Sequence, residues 1–301
     1  MGCNAARRVL RSNVAMNTSL PLPPIFLSHG SPMMALEPRQ AGAFMKRLGP
    51  AIDATFGRPR AIVALSAHSL ARQPALLAAA HHAAVYDFGG FDPKLYTLRY
   101  DAPGAPALAL RVQALLAETG IAAQSVDQGG LDHGIWTPLR YAWPAADIPV
   151  LPLAWVPSQS PAAQFALGLA LAPLAREGVL VLGSGSITHN LRRVFAGGLN
   201  VKTEQPEIAE SAAFRHWMQA RSMARDWPAL FDYRAQAPHA VDMHPSDEHL
   251  LPWYHAAGAG GREHAPLRLH DSITYGALGM DAYAFGPSAP VLAAALATMP
   301  A

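Results

Sequence analysis

The chain has 301 residues, enough for one large domain or two small ones with a sizeable core. Half of it (51%) is hydrophobic and only 15% is charged, which argues for a packed globular enzyme and against a disordered or fibrous chain. A net charge of +2 without a lysine–arginine block argues against nucleic acid, and one cysteine, Cys3, rules out an intramolecular disulfide and a thiolate metal cage.

Met1-Gly2-Cys3 starts like a myristoylation signal, but Ala6 stands where Ser or Thr is needed. Arg7-Arg8 is not followed by the apolar stretch of a secretion signal. Residues 1–20 therefore read as a loose extension, with Met16 an alternative start, and 21–301 as one catalytic domain. No run approaches the roughly 18 apolar residues of a membrane span, so a cytoplasmic protein is expected.

A strand near 24–28 runs into His29, and a helix over 38–49 is expected to stop at Gly49-Pro50. A strand over 60–67 delivers His68, and 74–80 offers a third strand. Tyr86-Asp87-Phe88-Gly89-Gly90-Phe91 is a Gly-aromatic loop without helical or strand period. A helix over 105–119 follows, then strands at 121–126 and 148–156, a helix over 162–176 and a strand over 178–182 that exits through Gly183-Ser184-Gly185-Ser186 toward His189. The remainder reads as helices at 206–223, 226–235 and 247–257, the last capped by Ser246 or Asp247, a Gly-rich turn at 257–261, strands at 266–270 and 280–285, and a helix at 289–298. The alternation predicts an α/β fold: a single domain with a central mostly parallel sheet flanked by helices.

In such sheets ligands bind beyond the carboxyl ends of the strands. His29, His68 and His189 all follow apolar runs, and a metal is the simplest reason to bring them to one rim. A single strand-end histidine is more often structural, so the weight rests on their number. His133, after Leu131-Asp132, reads as a helix start. His244 and His249 are not the i, i+4 pair of a zinc helix, but His249 falls about one turn into the expected 247–257 helix and can reach a site from there. The Gly-Ser-Gly-Ser segment lacks the Gly-Lys-Ser/Thr ending of a phosphate loop. His81, His82, His216, His239, His255, His264 and His270 read as surface or structural.

Ser28-His29-Gly30-Ser31-Pro32, Ser66-Ala67-His68, Leu131-Asp132-His133-Gly134, the stretch from Gly183 to Leu191, His244-Pro245-Ser246-Asp247-Glu248-His249 and Asp281-Ala282-Tyr283 together resemble the class III extradiol ring-cleavage dioxygenases, in the 4,5-DOPA extradiol dioxygenase-like branch. The resemblance spans 24–285. It implies one divalent metal at the strand ends, Fe(II) for dioxygenase activity or Zn(II) as bound, held by His29, His68 and His249. It makes His189 the acid/base histidine, with a fourth coordination position open to it in a zinc-loaded form, and His133 a substrate-side histidine. The third ligand is a glutamate in the wider class, and the histidine here tilts the set toward zinc.

The implied activity is opening of the ring of a DOPA-like catechol with O2, beside rather than between its hydroxyls. A zinc hydrolase and a non-catalytic binding scaffold are the alternatives. The expected partners are a small catechol and O2, with no nucleic acid and no membrane, and a homo-oligomer is left open. The Tyr86–Phe91 loop and Trp136 are expected to wall a ring-sized pocket.

Overall fold

Ile25, Leu27, Ile62, Ala64, Leu180 and Leu182 pack on one side of a sheet, and Phe26, Val63, Leu65, Val179 and Val181 on the other. Successive side chains of a strand point to opposite faces, so unbroken apolar runs require both faces to be covered. The computed structural model describes residues 20–195 and 202–299. The expected N-terminal extension, with Cys3 and Met16, lies outside them apart from Leu20.

The sheet has eight strands: β1 (Ile25–Ser28), β2 (Ala61–Ser66), β3 (Ala75–Leu77), β4 (Gln124–Val126), β5 (Val150–Ala154), β6 (Val179–Gly185), β7 (Leu267–His270) and β8 (Ala282–Ala284). Their order is β4-β3-β5-β2-β6-β1-β8-β7. The four central strands are parallel, and the joins β3–β5, β1–β8 and β8–β7 are antiparallel. One face is covered by α1 (Arg39–Phe56), α3 (His133–Ala142) and α7 (Ala289–Thr298). The other carries α2 (Pro106–Glu118), α4 (Pro161–Ala170), α5 (Ala209–Ala224) and α6 (Leu251–Gly260). This is the single α/β domain with a mostly parallel sheet expected from the sequence.

Local details depart from the sequence reading where packing overrides local signals. The first helix runs through Pro50 to Phe56, because Ala51 and Ile52 are buried in the core beneath it. Strand β6 continues to Gly185 rather than stopping at 182, since the backbone of α6 lies directly on Gly183 and that of the turn ahead of it on Gly185. The Gly-rich 257–261 stretch continues α6, with Gly258 packed against the backbone of α4. That helix begins at Leu251, later than expected. Pro252 sits in its first turn, and the Asp247 carboxylate accepts hydrogen bonds from Tyr233 and Arg234 instead of capping it.

Candidate metal centre

The register of the central strands builds the rim. Ser66 of β2 pairs with Ser184 of β6, and Ser28 of β1 pairs with Gly185, so the three strands end at one level. His29 follows β1 directly, its N–H donating to the Gly185 carbonyl at 3.0 Å. Gly30 turns the chain away with a left-handed φ of 63°. The turn carrying His68 is tied down by Asp132, which accepts from Ser66 Oγ at 2.7 Å and Ser69 Oγ at 2.6 Å. Asp132 thus holds the His68 turn, and although it stands at the N-cap position of α3 its side chain makes no cap bond there.

His29 and His68 bring their Nε2 atoms to 3.1 Å. The opposite nitrogen of His29 meets Ser184 Oγ at 3.0 Å, and that hydroxyl itself donates to the Gly134 carbonyl. Ser184 therefore accepts from Nδ1–H, which leaves Nε2 of His29 bare. His68 Nδ1 faces Asp87 Oδ2 at 3.5 Å. The two Nε2 atoms, 3.1 Å apart, are close to the separation that two ligand nitrogens of one tetrahedral cation take.

Asp87 is the residue the sequence reading missed. It lies in the aperiodic 86–91 loop, which is carried to the rim because residues 83–85 exchange backbone hydrogen bonds with Leu131. Both its oxygens lie 3.0 Å from His133 Nδ1, and Oδ1 also accepts from the His133 backbone N–H at 3.0 Å. Burial alone would raise the Asp87 carboxyl, but the bond to His133 and the neighbouring imidazoles hold it below its ordinary value.

His249 lies in the turn ahead of α6, not within the helix. Its carbonyl accepts from the Ser186 N–H at 2.8 Å and rests on Gly185, where any Cβ would collide with it. Glu248 Oε1 lies 3.0 Å from His249 Nδ1, again leaving Nε2 free. The ring centres of His29, His68 and His249 are 5.0, 5.4 and 5.1 Å apart. Imidazoles bound through single nitrogens to one tetrahedral ion, at roughly 2.0–2.1 Å, place their centres about 5 Å apart, so the trio fits a divalent metal.

His133 belongs to the same cluster, its ring centre 4.1 Å from His68 and 5.2 Å from His29. Its ligand nitrogen and those of His29 and His68 lie within 4.8 Å of one another, as do the ring nitrogens of His189 and His249 and a carboxylate oxygen of Glu248. His189 stacks face to face on His249, centres 3.5 Å apart and planes 7° from parallel. His244 stays out of the cluster, with Nε2 against the Ile187 carbonyl at 2.8 Å. His82 and His255 are buried elsewhere.

Burial, reinforced by the neighbouring imidazoles, holds His29 and His249 well below the ordinary histidine pKa. Burial also takes His68 to about 3 and His189 to about 4. All four are neutral at pH 7, the form that binds metals.

Next to the cluster opens a cavity of about 580 Å³. His68, His133, His189 and His249 line it together with Phe88, Phe91, Leu191, Val194, Phe195, Tyr275 and Leu278. Tyr275 stands in the loop of a small hairpin (Ile273–Thr274 with Leu278–Gly279) at φ +56°. The expected aromatic wall is half present. Phe88 and Phe91 face the cavity, whereas Trp136 is fully buried and donates to the Val85 carbonyl.

Comparison with known proteins identifies the family. The family model for the catalytic LigB subunit of aromatic ring-opening dioxygenase matches residues 23–286. A 4,5-DOPA dioxygenase extradiol of Beta vulgaris is 35% identical over 267 residues, 86% of this chain and 95% of that protein. One of Escherichia coli K12 is 34% identical over 269 residues, covering 87% and 94%. The crystal structure of an uncharacterized Escherichia coli K12 protein superimposes with a TM-score of 0.69 at 28% identity, covering 88% of this chain and all of that one. No helix among the described residues is long and apolar enough to cross a membrane. With matches of this extent around a strand-end histidine cluster, the chain belongs to the class III extradiol dioxygenase family, typified by the LigB catalytic subunit of aromatic ring-opening dioxygenases.

Proposed function

We propose that this protein opens the ring of a catechol with O2, beside its hydroxyls, using one divalent metal held by His29, His68 and His249. The observation that carries the reading is the convergence of His29, His68 and His249, with the Nε2 atoms of His29 and His68 3.1 Å apart, beside a cavity of about 580 Å³ that His68 and His249 line. An Fe(II) ion bound there supplies the electronic path between the catechol and dioxygen.

The protein's own groups position the ring and handle protons. His133, its Nδ1–H given to Asp87, presents Nε2 to the cavity as an acceptor for a substrate hydroxyl. His189 is the proton carrier rather than a further ligand. An imidazole binds metal in its ring plane, and the parallel stacking of His189 on His249 at 3.5 Å keeps the two rings in separate planes, so His249 would hold the ion and His189 would remain free to carry a proton. The relatives' names make DOPA the first catechol to try.

The all-histidine ligand set supports a second reading, a zinc hydrolase in which the metal lowers the pKa of bound water. Glu248 favours it, because its carboxylate is spent on His249 Nδ1 instead of completing a two-His-one-carboxylate face. One preparation tests both. Protein reconstituted anaerobically with Fe(II) and then given oxygen is expected to consume O2 and turn catechols into yellow ring-opened semialdehydes. Metal-loaded protein that leaves every catechol intact overturns the dioxygenase reading, and stoichiometric zinc with esterase turnover supports the hydrolase.

A further inference from the structure

Apart from the phenol of Tyr275, every ionisable side chain lining the cavity is a histidine; among the described residues no Lys, Arg, Asp or Glu reaches its surface. Around the imidazoles the wall is glycine, proline, methionine, aliphatic and aromatic side chains, and the only hydroxyls are those of Ser31 and Tyr275. The Ser31 hydroxyl already accepts from the Met33 N–H at 3.3 Å.

The charged groups nearby are committed elsewhere. Asp87 and Glu248 face His133 and His249 through Nδ1. Arg39 lines the adjoining hollow, but its two terminal nitrogens are bonded to Glu37 at 2.7 Å and Glu204 at 3.0 Å. On the short helix that contributes Leu191 and Val194, Arg193 is paired with Asp242 and Glu210, and the exposed Arg192 is not part of the lining. The sequence at 196–201 contains no charged residue.

We propose, resting on the extradiol reading, that the substrate is a catechol bearing an uncharged apolar substituent and not an amino-acid or carboxylic-acid catechol. Pockets of roughly 300–1,000 Å³ accept drug-sized ligands, so a cavity of about 580 Å³ has room for a substituent beyond the ring. With the hydroxyls directed at the histidines, that substituent meets Phe88, Phe91, Leu191, Phe195 or Leu278. An apolar group gains by leaving water there. A carboxylate or an ammonium gives up hydration there and meets no counter-ion among the described lining residues.

The test compares methylcatechol, tert-butylcatechol and phenylcatechol with L-DOPA and dihydroxyphenylacetate. Turnover is read on the Fe(II)-reconstituted enzyme, and binding by calorimetry on the Zn(II)-loaded protein, which cannot carry out the oxidation. The apolar catechols are expected to exceed the charged ones by about 10-fold or more in kcat/KM and in affinity. L-DOPA equal to or better than the apolar catechols in both overturns the proposal. If no catechol is opened, the extradiol reading fails, and the binding series still decides the chemistry of the cavity. In Phe195→Arg, a half-exposed wall position, the affinity for dihydroxyphenylacetate relative to methylcatechol is expected to rise about 10-fold. An unchanged ratio overturns the claim that the missing cation sets the preference.

Discussion

Asp87 holds His133 three times over: both carboxylate oxygens lie 3.0 Å from Nδ1, and Oδ1 also takes the backbone N–H. The same carboxylate faces His68 Nδ1 at 3.5 Å, so one loop residue contacts both the proposed metal ligand His68 and the proposed substrate-side histidine His133. Partners that orient metal-site histidines typically contribute 10–100-fold to affinity or activity. Asp87→Asn is expected to lower kcat by about 10–100-fold, with Asp87→Glu restoring part of it. Steady-state kinetics with metal content measured alongside checks this; full turnover in the asparagine variant would show that His133 needs no fixed tautomer.

Ser184 performs the corresponding task for His29. Its hydroxyl, already donating to the Gly134 carbonyl, accepts from His29 Nδ1. Ser184→Ala frees the ring to turn and is expected to weaken metal affinity by about 10-fold or more. Competition with a chromogenic chelator measures it, and an unchanged affinity would remove Ser184 from the account.

The stacked pair His189 and His249 is where the proposed roles of ligand and proton carrier can be told apart. His249→Ala is expected to lose the metal. His189→Ala is expected to keep it and lose about 100- to 10,000-fold in kcat. Metal analysis of both variants decides the assignment, since loss of metal from His189→Ala would make that ring a ligand. Unchanged catechol turnover in that variant would leave it without a catalytic task.

Gly185 is where the turn carrying His249 rests on the sheet. A Cβ there collides with the His249 carbonyl oxygen, which is backbone and cannot swing aside. Gly185→Ala is expected to cost about 1–3 kcal/mol, by analogy with overpacked cores, and to loosen the metal as well. Gly89→Ala, where an added Cβ meets nothing within 4 Å, serves as the control. Thermal unfolding of the two variants is the measurement, and equal Tm values would contradict the contact.

Buried neutral histidines set the acid limit of the fold. Burial takes His244 to about 4 and His255 to about 3, against an unfolded value near 6.5. The unfolded chain therefore binds protons first on acidification. The stability these groups contribute is complete above about pH 6.5 and is lost as pH falls toward 4, at about 1.4 kcal/mol per pH unit for each histidine. Denaturant unfolding at pH 8, 6 and 5 is expected to show a falling free energy; a flat profile would mean these rings are not buried uncharged.

The sequence by itself determined the strands that end in His29 and His68, because an apolar run ending at a polar turn is a local property that both covered faces of the sheet demand. It also carried the family resemblance, since the histidine segments keep their order along the chain. Helix limits were less legible. Pro50 and the 257–261 glycines read as breaks, yet burial of Ala51 and Ile52 and the close packing of Gly258 carried both helices through. Only the tertiary structure decided how the histidines are used. Asp87 meets His133 across 46 positions and Ser184 meets His29 across 155, distances at which no local pattern records a hydrogen bond. The stacking of His189 on His249 and the lack of Lys, Arg, Asp or Glu among the described residues lining the cavity are likewise products of packing, which brings distant segments to one rim.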